Sequence, residues 1–261
     1  MKKVLLLVLV ILLAGCTVLG NEENSYESIK SKGTIVVGTS ADYPPYEFHK
    51  VINGEDTIVG FDIKLAEKIA EDLDVDLEVI DMNFDGLLPA LKAGKIDFIA
   101  AGMNPTEERK ESVDFTNIYY DTNQTMLVLS EKKDSLSSVE SFSGLKVGVQ
   151  KSTLQESIFD EQFTGAEKVA LSKIPNLIME LQSEKIDGII LAEVVAKQYA
   201  DANSNITLNG LDLGSEGGVA IAVDKDQTEL LEAMNSTINQ VLEDGTLDQY
   251  ILDAMALEKE E

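Results

Sequence analysis

At 261 residues, 44% of them hydrophobic, the chain can bury the core of one large domain or of two lobes. A formal charge of −26 argues against nucleic-acid binding and against lying flat on anionic lipid. With one histidine, and the single cysteine claimed by the N-terminal segment, no Cys-His pair or zinc-type ligand set can be assembled, and the residues call for no metal and no cofactor.

The chain opens Met1-Lys2-Lys3, continues through the apolar residues 4–13 and reaches Leu13-Ala14-Gly15-Cys16. A basic start, a short apolar stretch and small residues before the cut predict a secretory signal over 1–15, because the stretch is too short to span a bilayer. Leu-Ala-Gly-Cys resembles a bacterial lipobox with Cys16 at the modified position. That resemblance implies an exported protein held by lipid on the outer face of the cell membrane, with no thiol left over. Removing Lys2 and Lys3 takes the charge from −26 to −28. Residues 16–28, where Asn, Glu and Ser predominate, read as a solvated tether.

Residues 34–39 then form a short apolar strand, 61–70 a helix by its apolar spacing, 75–80 a strand, and 84–93 a helix ended by Gly94. The apolar run 96–101 is a buried strand, and Arg109, the only arginine beside twenty lysines, lies just past its C-terminal end. In open α/β sheets ligands collect at that edge, and a guanidinium offers a planar fork for a carboxylate or phosphate. A solvated arginine paired with Glu107 or Glu108 is the competing reading.

The second half repeats the scheme. Strand 145–150, helix 154–159, strand 168–171 and a helix over 176–183 announced by Pro175 lead to Lys185-Ile186-Asp187, an echo of Lys95-Ile96-Asp97 ninety residues earlier. Residues 219–223 form a last strand, 227–243 an amphipathic helix, and Gly245 separates it from a final helix. The βαβα order predicts two similar α/β lobes, each a mainly parallel sheet flanked by helices. Residues 29–122 and 217–261 are expected in lobe 1 and 123–216 in lobe 2. Two crossings, near 121–124 and 214–218, would serve as a hinge.

At this point the sequence resembles the family 3 extracellular solute-binding proteins, the amino-acid receptors of ABC importers. The segments that carry the resemblance run from about 30 to 257: Val37 to Phe48, Val59-Gly60-Phe61-Asp62, Phe84 to Leu91, Gly102 to Lys110, Val147 to Thr153, and the echo at Asp187. It implies the two-lobed periplasmic-binding-protein-like fold, a monomer that binds a free L-amino acid, and a permease partner. By the same resemblance Arg109 clamps the ligand carboxylate with help from Gly102, Asn104 and Thr153. Tyr43 and Phe84 sandwich the ligand side chain, where the residues alone would read as core aromatics. Ser40 and Gln150 match further contact positions, whereas Asp42 and Glu47 are expected to be structural or solvated.

The sequence departs from its family at the site for the ligand's α-amine. Relatives usually place an acid at the position of Ala192, and many place one at the position of Ser40. Glu193 is the nearest substitute by sequence, against the reading that an acid in a first helical turn only answers the helix dipole. Without the acid at Ser40, the ligand is expected to be polar, glutamine slightly ahead of a basic amino acid.

Two other functions compete. Some relatives are dehydratases of cyclic prephenate-like acids, which need a poised acid or base in the cleft; His49, the single histidine, reads instead as an exposed loop residue. A tethered sensor is disfavoured because no second apolar span or signalling module is seen. Two local patterns fail: Lys151 lacks the preceding glycine of a phosphate loop, and Ile206 stands where the calcium-type loop over 201–212 needs glycine.

Overall fold

The computed structural model describes residues 25–215 and 217–259. The predicted signal and Cys16 lie outside the described residues. The expected tether ends sooner than residue 28, because helix α1 (Ser25–Lys32) already begins at Ser25. Ile29, 1% exposed, anchors that helix in the core, which a solvated segment could not supply.

The first lobe grows from β1 (Thr34–Thr39), whose residues alternate toward full burial. A meander of β2 (Asp42–Tyr43), β3 (Glu47–Ile52) and β4 (Glu55–Val59) follows, then α2 (Phe61–Asp72), β5 (Asp76–Asp81), α3 (Phe84–Lys92), β6 (Phe98–Ile99), α4 (Glu107–Ser112) and β7 (Val113–Phe115). The second lobe holds β8 (Gln124–Leu129), β9 (Lys146–Gln150), α5 (Leu154–Gln162), β10 (Glu167–Leu171), α6 (Ile174–Gln182), β11 (Gly188–Ala192), α7 (Glu193–Ala202) and β12 (Ile206–Leu208). The chain then returns to the first lobe as β13 (Ala222–Asp224), α8 (Thr228–Glu243) and α9 (Thr246–Lys259).

Each lobe carries a five-stranded sheet of the same design. In the first the order is β5-β1-β6-β13-β7, in the second β10-β9-β11-β8-β12. The first two pairings of each sheet are parallel and the last two antiparallel, so one strand per sheet, β13 or β8, runs against the other four. That strand follows a crossing between lobes, which is why the reversal falls there in both. The Lys-Ile-Asp echo acts alike in the two lobes: Asp97 accepts the Val36 amide at 2.8 Å and Asp187 the Lys146 amide at 3.0 Å, each locking a short strand to its neighbour. Phe61, Leu65 and Ile69 on one face of α2, all fully buried, cover the first sheet, each contributing about 1.5–3 kcal/mol of burial.

The two crossings lie side by side. The Tyr119 amide donates to Val219 O at 3.1 Å, the Val219 amide to Tyr120 O at 2.8 Å, and the Gln124 amide to Gly214 O at 2.8 Å. Gly218 makes the approach feasible, since its φ is 82° and an added Cβ would lie 2.7 Å from the Tyr120 carbonyl oxygen. The two crossings are thus tied to each other by backbone hydrogen bonds.

Candidate functional site

The cleft between the sheets receives the C-terminal ends of β1, β6 and β9, as expected for an open α/β sheet. After β1 the chain turns through Ser40 and Ala41 into β2, and the Pro44–Pro45 bond that follows is cis; Tyr43 and Tyr46 lie side by side with ring centroids 5.3 Å apart. After β6 it passes Gly102, where φ is 53° and an added Cβ would stand 3.0 Å from the Tyr43 ring. Glycine is needed there on both counts. Asp62, fully buried on α2, holds this loop: it accepts the Gly102 amide at 2.9 Å and the Tyr119 hydroxyl at 2.8 Å. Burial raises the Asp62 carboxyl to about 6 against the effect of those two bonds.

A cavity with about 290 Å³ of empty space lies where these segments meet the second lobe. Its lining includes seven of the residues singled out by sequence: Ser40, Tyr43, Phe84, Gly102, Asn104, Gln150 and Thr153. Arg109 stands behind Asn104 and Phe84. It is 8% exposed, donates from Nη1 to Asn104 O at 2.7 Å and from Nη2 to Ser152 O at 2.8 Å, and stacks over Phe84 with Cζ 5.3 Å from the ring centroid. Ser152 belongs to the second lobe and takes a left-handed φ of 61°, so an unusual backbone conformation presents its carbonyl to the guanidinium. Burial lowers Arg109 to about 10, which leaves it cationic at neutral pH. Of its five N–H donors the two carbonyls occupy two. The arginine is buried in the cleft and not paired with Glu107 or Glu108 at the surface.

Further bonds cross the cleft. Asp42 accepts from Ser40 Oγ on its own lobe and, across the cleft, from Gln150 Nε2 at 3.3 Å and the Ile174 amide at 2.9 Å at the start of α6. Gln155 Nε2 donates to the Tyr43 hydroxyl at 3.1 Å and to Gln124 Oε1 at 2.8 Å. The lobes are therefore closed on each other around the cavity.

Four expectations change. Glu47 is neither solvated nor held by surface charge: it is 1% exposed, lines the cavity, and its Oε2 has no hydrogen-bond partner. Desolvation raises its carboxyl well above the ordinary range, and the charges of Asp62, Asp42 and Asp81 add to the shift. Asp42 also lines the cavity while it bridges the lobes. Glu193 is exposed and lines neither the ligand cavity nor the chamber that adjoins it, since as the first residue of α7 it turns outward while its amide bonds Asn123 O. His49 is exposed as expected, but it lies on β3 and pairs with Asp56 at 3.0 Å, so it is a strand residue outside the cleft. A signal for Glu47 did exist in the sequence, an acid set between the aromatic residues Tyr46 and Phe48.

The arrangement places one buried cation, Arg109, behind the Asn104 and Phe84 wall of a cavity lined by two buried acids, Asp42 and Glu47, while Arg109 itself lines the adjoining groove with Phe84, Ser152 and Thr153. It can hold a small molecule with an anionic group and a cationic group. The model of the bacterial extracellular solute-binding proteins, family 3, matches residues 35–253. The chain is 35% identical over 256 residues, 95% of its length and 96% of the relative's, to the arginine-binding extracellular protein ArtP of Bacillus subtilis. Among solved structures, an amino acid ABC transporter substrate-binding protein, AbpA of Streptococcus pneumoniae, bound to L-arginine, superposes with a TM-score of 0.88 at 36% identity over 90% of this chain and all of that one. The ancestral amino-acid-binding protein AncCDT-1, a precursor of cyclohexadienyl dehydratase, gives 0.80 at 33% identity over 88% and 99%.

Proposed function

The chain belongs to the bacterial extracellular solute-binding proteins, family 3, and we propose that it is the receptor of an ABC importer for a cationic amino acid, arginine foremost. Closing the two lobes around the ligand gives the permease a surface that reports occupancy. One observation carries the choice of ligand: the unpartnered carboxylate oxygen of Glu47 in a cavity whose Asn104 wall is backed by Arg109. A buried acid without a partner is costly, and a guanidinium or ammonium brought by the ligand supplies the missing donors and charge. This replaces the sequence-based preference for glutamine, because the acid absent at Ser40 is supplied by Glu47.

In this reading the Arg109 guanidinium, Asn104 and Thr153 receive the ligand carboxylate beside Gly102, whose own amide stays on Asp62. Tyr43 and Phe84 flank the aliphatic stem, while Ser40 and Gln150 hold Asp42 beside the distal cation. Nothing is transformed. A buried acid of raised proton affinity would also suit a dehydratase, so mass spectrometry of ligand recovered after prolonged incubation separates the readings. Unchanged ligand is expected, and loss of water from it would favour the enzyme.

The ligand itself is tested by a thermal-shift screen of the twenty amino acids on protein stripped of copurified ligand. A ligand at a hundred times its Kd stabilises by about 2.7 kcal/mol. For a chain of this size that is roughly 5–10 °C in Tm. Arginine should give the largest shift. A larger shift with glutamine than with any basic amino acid would contradict the cationic reading.

The lipobox-like Leu13-Ala14-Gly15-Cys16 supports export followed by lipid anchoring at Cys16. Cys16→Ser should move the protein from the membrane fraction to the soluble one with arginine binding unchanged, and a variant that stays with the membrane would contradict the anchor.

A further inference from the structure

A second, smaller chamber with about 220 Å³ of empty space adjoins the ligand cavity and shares Tyr43, Gly102 and Asn104 with it. Its other walls come from the hinge, Asp121 and Gln124 on one crossing and Gly218 on the other, and from the end of β11 at Ala192. Among the described residues lining it, Asp121 carries the only charge. Tyr46 lines the same chamber, and its hydroxyl is fully buried and without a hydrogen-bond partner. The Ala192 methyl offers a polar ligand nothing.

Asp121 is exposed and stands at the chamber's edge, and a lone carboxylate there beside a buried hydroxyl that lacks a partner favours a positively charged hydrogen-bond donor. The position of the chamber says which one. In an α-amino acid the ammonium is one carbon from the carboxylate, and the carboxylate end is fixed by Gly102 and Asn104, the residues that both cavities share. We propose that this chamber receives the ligand's α-ammonium, with Asp121 as its counter-charge and the Tyr46 hydroxyl as an acceptor; the assignment rests on the amino-acid orientation given above. Asp121 is suited to the role by its own support. It accepts the Ser215 hydroxyl at 2.6 Å, a bond between the two hinge crossings. The ammonium therefore binds at the hinge itself, and an occupied subsite favours the closed arrangement of those crossings.

The test compares L-arginine with its des-amino analogue, 5-guanidinopentanoic acid, by calorimetry on the full protein and on Asp121→Asn. The wild-type protein should prefer arginine by about tenfold or more. Asp121→Asn should remove most of that preference by weakening arginine, while affinity for the des-amino acid stays within about threefold. Ser215→Ala, which removes the bond between crossings but keeps the acid, should retain the preference. Equal losses for the two ligands in Asp121→Asn, or equal affinities in the wild type, would overturn the subsite. If arginine gives no heat with the wild-type protein, the arginine assignment falls instead, and the same comparison with the amino acid that does bind decides the subsite.

Discussion

Arg109→Lys should weaken amino-acid binding by about 2–4 kcal/mol, roughly 30- to 1,000-fold, with the fold intact by circular dichroism. The guanidinium performs three tasks at once. It bonds the Asn104 carbonyl on its own lobe, bonds the Ser152 carbonyl across the cleft, and keeps three donors in hand for a carboxylate. It also lies against Phe84. A lysine ammonium keeps the charge but has three donors in place of five and no plane to stack, so it cannot hold both carbonyls and a bidentate carboxylate together. Unchanged affinity by calorimetry would remove Arg109 from the ligand site.

Glu47→Gln should lower arginine affinity by about 3 kcal/mol, on the order of 100-fold, and change glutamine binding little, because only the former loses a buried charge pair. The wild-type protein should also bind arginine more tightly as pH rises. In the empty cavity Glu47 holds its proton well above the ordinary range through burial and the neighbouring charges of Asp62, Asp42 and Asp81, opposed by Lys173. The ligand's cation lowers that proton affinity, so binding releases a proton, and affinity grows with pH until Glu47 is ionised in the free protein as well. Calorimetry in buffers of different ionisation enthalpy reads the proton directly. Glu47→Gln should lose most of the release, and an undiminished release would assign it to Asp42 or to another group.

Much of the fold was legible in the sequence because its strands are short apolar runs closed by turn residues. The run at 96–101 and the Lys-Ile-Asp echo marked equivalent strands, and both aspartates proved to lock neighbouring strands by the same bond. The meander was missed although its turn was written in Asn53-Gly54, both of positive φ, because the flanking residues are mostly exposed and alternate weakly. At the site, Arg109 could be found because a lone arginine after a buried strand is unusual. Glu47 could not be separated by residue type from the other acids. Its place between Tyr46 and Phe48 was the one local mark of its burial. Glu193 illustrates the reverse case: proximity in sequence to Ala192 suggested a substitute acid, but the strand ends at 192 and the first helical residue faces solvent. Asp121, 71 residues from Ala192 in sequence, lines the same chamber only because the crossing runs past the end of β11.

The most direct test of ligand recognition is a crystal structure of the protein with L-arginine. Density for the carboxylate should lie on the Arg109 guanidinium beside Gly102 and Asn104, with the ligand guanidinium within hydrogen-bond distance of Glu47 and the stem between Tyr43 and Phe84. An arginine bound in the opposite direction, or outside the cavity that holds Glu47, would contradict it.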